Sequence, residues 1–256
     1  MNTVLITGCS SGFGLDTARL FLARGWHVVA TMRHPDPALF QDAQNVTLLT
    51  MDVTDEKSVA RVFESVGPLD ALVNNAGIGW LNAIEGTPLP LVRRILETNL
   101  VGIIATMQAV MPQFRAKGAG VIVNVTSTVT LGALPLLSVY TASKAAVNAL
   151  TESFALEAEP LGVRARLVLP GLSPETQFAA NAHKLSEGGF AFPESYKVFG
   201  EGIMAQLTGG HDLVTTGQDV AEAVWRAVTD PSAPMRLYAG ADAVALAEQV
   251  SRGAAS

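Results

Sequence analysis

The chain has one cysteine, Cys9, among its 256 residues. No internal disulfide can form, and a cystine-stapled secreted fold is excluded. Histidine is also scarce, with four residues, and no Cys/His cluster stands at metal-ligand spacing, so no metal centre is expected. Charge is sparse at 16%, and 17 Lys and Arg face 23 Asp and Glu for a net charge of -6. Without a basic cluster, nucleic acid and anionic membranes are not expected partners. The start, Met1-Asn2-Thr3, lacks the positive region and apolar stretch of a signal peptide, so the cytoplasm is the expected compartment. One uncharged stretch, Gly118 to Ser143, is long enough to cross a bilayer. Asn124, Thr126, Ser127, Thr128, Thr130, Gly132 and Pro135 interrupt it, so it reads as strand, loop and helix start. What the chain has in quantity is apolar material: 49% hydrophobic residues and a mean hydropathy of +0.32 support one large core or at most two small ones.

Short β-branched runs alternate with helical patterns. Thr3 to Thr7 reads as a strand buried on both faces, residues 14–24 as a helix ended by Gly25, and 26–31 as the next strand. A strand near 46–51, a helix near 55–66 and a strand near 69–74 complete a βαβαβ half. Thr87 and Pro88 suit the N-cap and first position of a long helix running to about Gly118. Then come a strand at 121–126, a helix at 139–160 and a strand at 164–169. Residues 172–217 break the rhythm with clustered Pro, Gly and aromatic residues, before a helix at 218–229 and a last strand near 235–238. Continuous apolar strands alternating with helices predict an α/β fold, a doubly wound parallel sheet covered on both faces, in one domain over residues 1–256.

The first strand runs into Thr7-Gly8-Cys9-Ser10-Ser11-Gly12-Phe13-Gly14, which opens the first helix. Glycines between a strand and a helix N-terminus let backbone N–H groups approach a phosphate; the same glycines would also serve a plain βα turn. Cys9 reads as a packing residue, since no base lies near it in sequence. Tyr140 and Lys144 are four apart on a predicted helix and share a face. An ammonium about 4 Å from the phenol, at an effective dielectric of about 20, is worth about 4 kcal/mol, or about 3 pKa units. The phenol is then expected to move from about 10 toward about 7, where it could exchange a proton with an alcohol or carbonyl oxygen. Ser127 falls just past a strand end, where open α/β sheets hold ligands; Thr126 and Thr128 are equally available there.

Taken in order, the glycine loop, Asn74-Asn75-Ala76-Gly77, Asn99, Ser127, Tyr140-x-x-x-Lys144 and Pro170-Gly171 resemble the short-chain dehydrogenase/reductases over nearly the whole chain. The loop text and the Ala30-Thr31-Met32-Arg33 run are nearest the hydroxysteroid and retinol dehydrogenase branch. The resemblance implies an oxidoreductase acting on a small-molecule ketone, aldehyde or secondary alcohol. Asn99, Ser127, Tyr140 and Lys144 would be the catalytic group, with Asn99 supporting a water and proton relay to Lys144. Gly8, Ser10, Ser11, Gly12, Phe13, Gly14, Asp52, Val53, Asn75, Ala76, Gly77, Pro170 and Gly171 would join Tyr140 and Lys144 in holding the cofactor. Asp52 could instead cap the helix starting near Asp55. NAD-using relatives carry an acidic residue where this chain has Met32 and Arg33, so NADP(H) is the expected cofactor, with NAD(H) the other candidate. The family's Thr five residues after the Pro of Pro-Gly falls here on Glu175, leaving Thr176 one step late as the candidate. Residues 172–217 would close an apolar substrate pocket, with Trp80, Leu134 and Phe178 as contacts, and His183 and His211 read as surface residues. A homodimer or homotetramer built on the helices near 88–117 and 139–160 is implied by resemblance alone. The competing readings are a non-catalytic NADP(H)-sensing protein and an extended-branch epimerase or dehydratase, the latter disfavoured by the glycine spacing and the short chain after residue 172.

Overall fold

The computed structural model describes residues 1–41, 43–174, 191–209 and 212–253. Its centre is a parallel sheet of seven strands: β1 (Thr3–Thr7), β2 (His27–Met32), β3 (Val46–Thr50), β4 (Ala71–Asn74), β5 (Gly120–Val125), β6 (Val163–Pro170) and β7 (Arg236–Ala239). They lie in the order β3-β2-β1-β4-β5-β6-β7. Val4 of β1 pairs with Val28 on one side and Ala71 on the other, so strand order reverses between β1 and β4. A crevice outside the carboxyl ends opens at such a reversal.

Among the described residues the helices are α1 (Gly12–Ala23), α2 (Glu56–Ser65), α3 (Leu89–Leu96), α4 (Gly102–Lys117), α5 (Ser138–Ala158), α6 (Lys197–Thr208), α7 (Gly217–Thr229) and α8 (Ala241–Gly253). Successive side chains of β1 serve opposite faces of the sheet. Val4 and Ile6 pack with Phe21, Val28, Val73 and Val224 on the α1/α7 side, while Leu5 joins Val29, Leu72, Met107, Phe114 and Ile122 on the α2/α4 side. Both halves of the core are therefore anchored on one central strand, which holds the carboxyl edge still. Burying each large apolar side chain in them is worth about 1.5–3 kcal/mol.

The expected alternation of strands and helices is present, with differences at particular ends. Pro88, not Thr87, is the N-cap of α3. The Thr87 hydroxyl instead accepts from Trp80 Nε1 at 3.1 Å and donates to the Ala83 carbonyl at 2.9 Å. The long helix expected to run to Gly118 is interrupted by a π turn, Glu97–Val101, between α3 and α4. From Leu89 to Lys117 it is long and apolar enough by length and composition to cross a bilayer; here α4 covers the sheet through Ile103, Met107, Val110 and Phe114. Asp55 caps α2 by accepting from the Lys57 N–H at 2.9 Å. In the segment expected to be irregular, the described residues hold α6 and a short turn at Glu194–Tyr196.

Candidate active site

At the carboxyl edge a cavity of about 590 Å³ runs from Arg33 and Asp52 to Tyr140 and Lys144. Gly8, Ser10, Ser11, Gly12 and Phe13 form one wall and Asn75, Ala76 and Gly77 another, with Val53 beside Asp52. The walls are tied to each other. The Thr7 hydroxyl accepts from the Asn75 and Ala76 N–H groups at 3.0 and 2.9 Å, and Asn75 Nδ2 donates to the Thr7 and Gly8 carbonyls at 3.0 and 3.2 Å. Gly8 has a φ of 75°, and a Cβ there would stand 2.9 Å from Ala76 Cα. Gly14 does not line the cavity; it lets α1 approach, since a Cβ would run into the Gly8 carbonyl and Asn75 Nδ2.

Ser11 is the N-cap of α1 and makes no side-chain cap hydrogen bond. The N–H groups of the first turn thus receive no cap from Ser11, and a helix start of this kind attracts phosphate. Cys9 is buried beneath the loop, where its Sγ donates to the Ile6 carbonyl at 3.3 Å and burial pushes the thiol up to about 12. These features fit a dinucleotide laid across the edge, its phosphates on the glycine loop.

At the Arg33 end, Asp52 lines the cavity and is not the cap of α2. Its Oδ1 accepts from the Thr54 N–H at 2.9 Å and the Thr54 hydroxyl at 2.7 Å, so it shapes the turn while Asp55 caps the helix. Burial works against its charge, but the Thr54 donors and the fields of Arg33 and Arg94 outweigh it and hold the carboxyl below its usual range. Arg94, Glu97 and Thr98 also line this end. They come from α3 and the π turn, whose register gave no signal in the sequence.

At the other end, Ser127 lies in the turn after β5, accepts from the Val129 N–H at 3.3 Å and is hydrogen-bonded to the Tyr140 hydroxyl. Of the three hydroxyls, Ser127 is the one hydrogen-bonded to Tyr140, although Thr126 and not Ser127 lines the cavity; the buried Thr126 hydroxyl has no partner among the described residues. Lys144, one turn beyond Tyr140, donates from Nζ to the Val125 carbonyl at 3.0 Å and lies 5.9 Å from the centre of the Tyr140 ring. The expected fall of the phenol toward 7 is not present. Burial pushes Tyr140 up to about 12, against the pull of the Ser127 hydrogen bond. Burial likewise pushes Lys144 down to about 8. A close unit charge alone would lower the phenol, but the desolvation of both groups opposes it and wins.

Asn99 stands between the turn after β4 and α5. It is fully buried in the π turn. Its Oδ1 accepts from the Ile78 N–H at 2.8 Å, while Nδ2 donates to the Ile78 carbonyl at 2.8 Å and to Ser143 Oγ at 3.0 Å. Ser143 Oγ in turn donates to the Tyr140 carbonyl at 2.7 Å. This amide clamps the turn after β4 to the helix that bears Tyr140, and all its polar groups are committed to that task.

Pro170 and Gly171 lie outside the cavity lining; Gly171 donates its N–H to Thr215 Oγ1 at 2.9 Å. Trp80 is buried against Leu91 and Ile95, and Leu134 is 46% exposed, so neither lines the cavity. Thr176, Phe178, His183 and His211 lie outside the described residues. The apolar side of Tyr140 is formed by Leu81, Ala83, Leu136 and Leu137, with Phe192, Tyr196 and Met204 packed against them.

A family model described as short chain dehydrogenase matches residues 2–185. Among curated proteins, the chain is 39% identical to the uncharacterized oxidoreductase YusZ of Bacillus subtilis, over 65% of this chain and 63% of that one. It is 32% identical to retinol dehydrogenase 8 of Bos taurus over 91% of this chain and 80% of that one. The match thus spans under two thirds of the first relative's length. A short chain dehydrogenase from Burkholderia cenocepacia, solved in complex with NADP, superposes with a TM-score of 0.77 at 26% identity, covering 99% of this chain and 94% of that one. With the parallel sheet, the glycine loop and the Ser127–Tyr140–Lys144 group on one edge, these matches lead to one assignment: the chain belongs to the short-chain dehydrogenase family.

Proposed function

We propose that this protein is an NADP(H)-dependent carbonyl reductase, or alcohol dehydrogenase in reverse, acting on an apolar ketone, aldehyde or secondary alcohol. The observation that carries this reading is the hydrogen-bonded Ser127–Tyr140 pair, which joins an apolar wall to a cavity lined at its far end by Arg33. A bound nicotinamide dinucleotide would supply or accept the hydride. Ser127 holds the substrate oxygen and stabilises its developing charge, and Tyr140 passes its phenolic proton to that oxygen. Lys144, one turn beyond Tyr140, would favour the phenolate left behind.

No carboxylate stands at the end of β2, where Met32 is followed by Arg33, so the ribose end offers a guanidinium suited to a 2′-phosphate, which supports NADP(H) over NAD(H). The NADP-bound Burkholderia structure and the likeness to a retinol dehydrogenase support the cofactor and an apolar substrate. We further propose a cytoplasmic homodimer or homotetramer, which size-exclusion chromatography with light scattering would test.

The test is oxidation of NADPH, followed by its absorbance, over a panel of apolar and polar carbonyl compounds, with NADH in parallel. Turnover of apolar members with NADPH preferred is expected. Tight cofactor binding with no turnover across the panel would point to the sensor, and equal affinity for NADH would remove the role given to Arg33.

A further inference from the structure

Where the chain leaves β6, three distant segments meet on one carboxylate. Asp242, in the first turn of α8, accepts from the Leu172 N–H through Oδ2 at 2.6 Å. Thr215, which is 1% exposed, lies within hydrogen-bonding reach of both Asp242 Oδ1 at 2.7 Å and the Ala239 carbonyl at 2.8 Å, and its single hydroxyl proton serves one of them at a time. That hydroxyl also accepts the Gly171 N–H at 2.9 Å, while the Thr215 N–H donates to the Leu172 carbonyl at 2.8 Å.

The knot has no spare room. A Cβ at Gly171 would collide with the Asp242 carboxylate, and one at Gly240, whose φ is 98°, would collide with Thr215 Oγ1. Two glycines thus keep open the space in which the carboxylate and the hydroxyl meet.

Its place in the fold gives it a consequence. The Thr126 N–H donates to the Val168 carbonyl at 2.8 Å, so the chain leaving β6 emerges beside the turn that carries Ser127. Helix α8, which bears Asp242, also packs on the Thr128–Thr130 turn immediately after Ser127. One helix therefore braces both the Ser127 turn and the exit of β6.

We infer that Asp242 and Thr215 are positioning residues, setting the exit of β6 against the Ser127 turn and so fixing the reactive end of the cleft. The inference rests on the oxidoreductase reading proposed above, and it assigns a task in the site to a helix that contributes no side chain to the cavity.

The test compares Asp242→Asn and Thr215→Val with Thr215→Ser, which keeps the hydroxyl, and with Ala247→Gly, which loosens α8 away from the knot. Amide exchange at Leu172 and Thr215, NADPH affinity, the emission of bound NADPH and steady-state kinetics are measured on each. Asp242→Asn and Thr215→Val are expected to exchange faster at Leu172 and to lose kcat by about tenfold or more, with NADPH affinity within about threefold. Bound NADPH should lose emission enhancement in both, whereas Thr215→Ser and Ala247→Gly should stay within about twofold of wild type in kcat. Unchanged kcat and emission despite faster exchange would overturn the inference, as would an equal loss in Ala247→Gly. If the wild type turns over no carbonyl compound, the oxidoreductase reading fails, and the emission measurement alone then decides whether the knot orders the cofactor.

Discussion

Lys144 and Tyr140 share a helix face, yet the ammonium donates to the Val125 carbonyl and stands 5.9 Å from the centre of the phenol ring. Both groups are buried, so each is pushed toward its neutral form, the lysine down to about 8 and the tyrosine up to about 12. The pair is held as a cation near its titration point beside a phenol that retains its proton. At neutral pH Tyr140 therefore keeps its proton, as the donor role proposed for it requires.

Replacing Tyr140 by Phe removes that proton and little volume. Turnover is expected to fall by about 10²–10⁴-fold while NADPH still binds within a few-fold, as read by fluorescence titration and steady-state kinetics. Full activity in the variant would remove Tyr140 from the chemistry.

The depressed lysine carries a signed pH effect. Between about 8 and the ordinary 10.5 the folded chain has released a proton that the unfolded chain keeps, so stability from this group rises with pH through that window and is lost as pH falls through 8. Tyr140 acts oppositely, its stabilisation being lost only as pH rises from 10 toward about 12. From pH 8 to 10 the wild-type melting temperature should gain on that of Lys144→Met. Parallel melting curves across that range would contradict the assignment.

Asn99→Leu would leave the Ile78 N–H and carbonyl without partners in a buried turn. A loss of about 1–3 kcal/mol in stability is expected from urea unfolding. Activity should fall as well, because the clamp reaches Tyr140 through Ser143.

Gly14→Ala places a methyl group against the Gly8 carbonyl and Asn75 Nδ2. The glycine loop must shift, and NADPH affinity is expected to drop by about tenfold or more, measured by calorimetry. Gly67→Ala, where a Cβ meets no atom within 4 Å and the backbone is not left-handed, serves as the control for adding a methyl group at a glycine and should leave cofactor affinity unchanged.

What the sequence made legible was local or periodic. Strand β1 announces itself as a β-branched run ending at Gly8, and Tyr140 and Lys144 are paired by helix spacing alone. Ser127 could be separated from Thr126 and Thr128 only through resemblance, because the choice depends on which hydroxyl meets Tyr140 in space. Asn99 was singled out, but its clamp on Ile78 needed the π turn, whose extra residue per turn leaves no pattern in hydrophobic spacing. Arg94 and Asp242 gave no signal because their contacts are tertiary: one reaches the cavity from α3 and the other meets Leu172 across 70 residues of chain. The phenol's acidity was misjudged because charge separation and burial are tertiary quantities.

The sheltered sulfur beneath the glycine loop has a practical corollary. Burial leaves Cys9 no exposed surface and pushes its thiol up to about 12, so the chain's sole sulfhydryl is expected to resist alkylating reagents at neutral pH. A cysteine introduced at an exposed position such as Val198 on α6 would be the one reactive thiol. A spectroscopic label attached there could follow this helix as substrate enters, with the native sulfur left in place as a silent background.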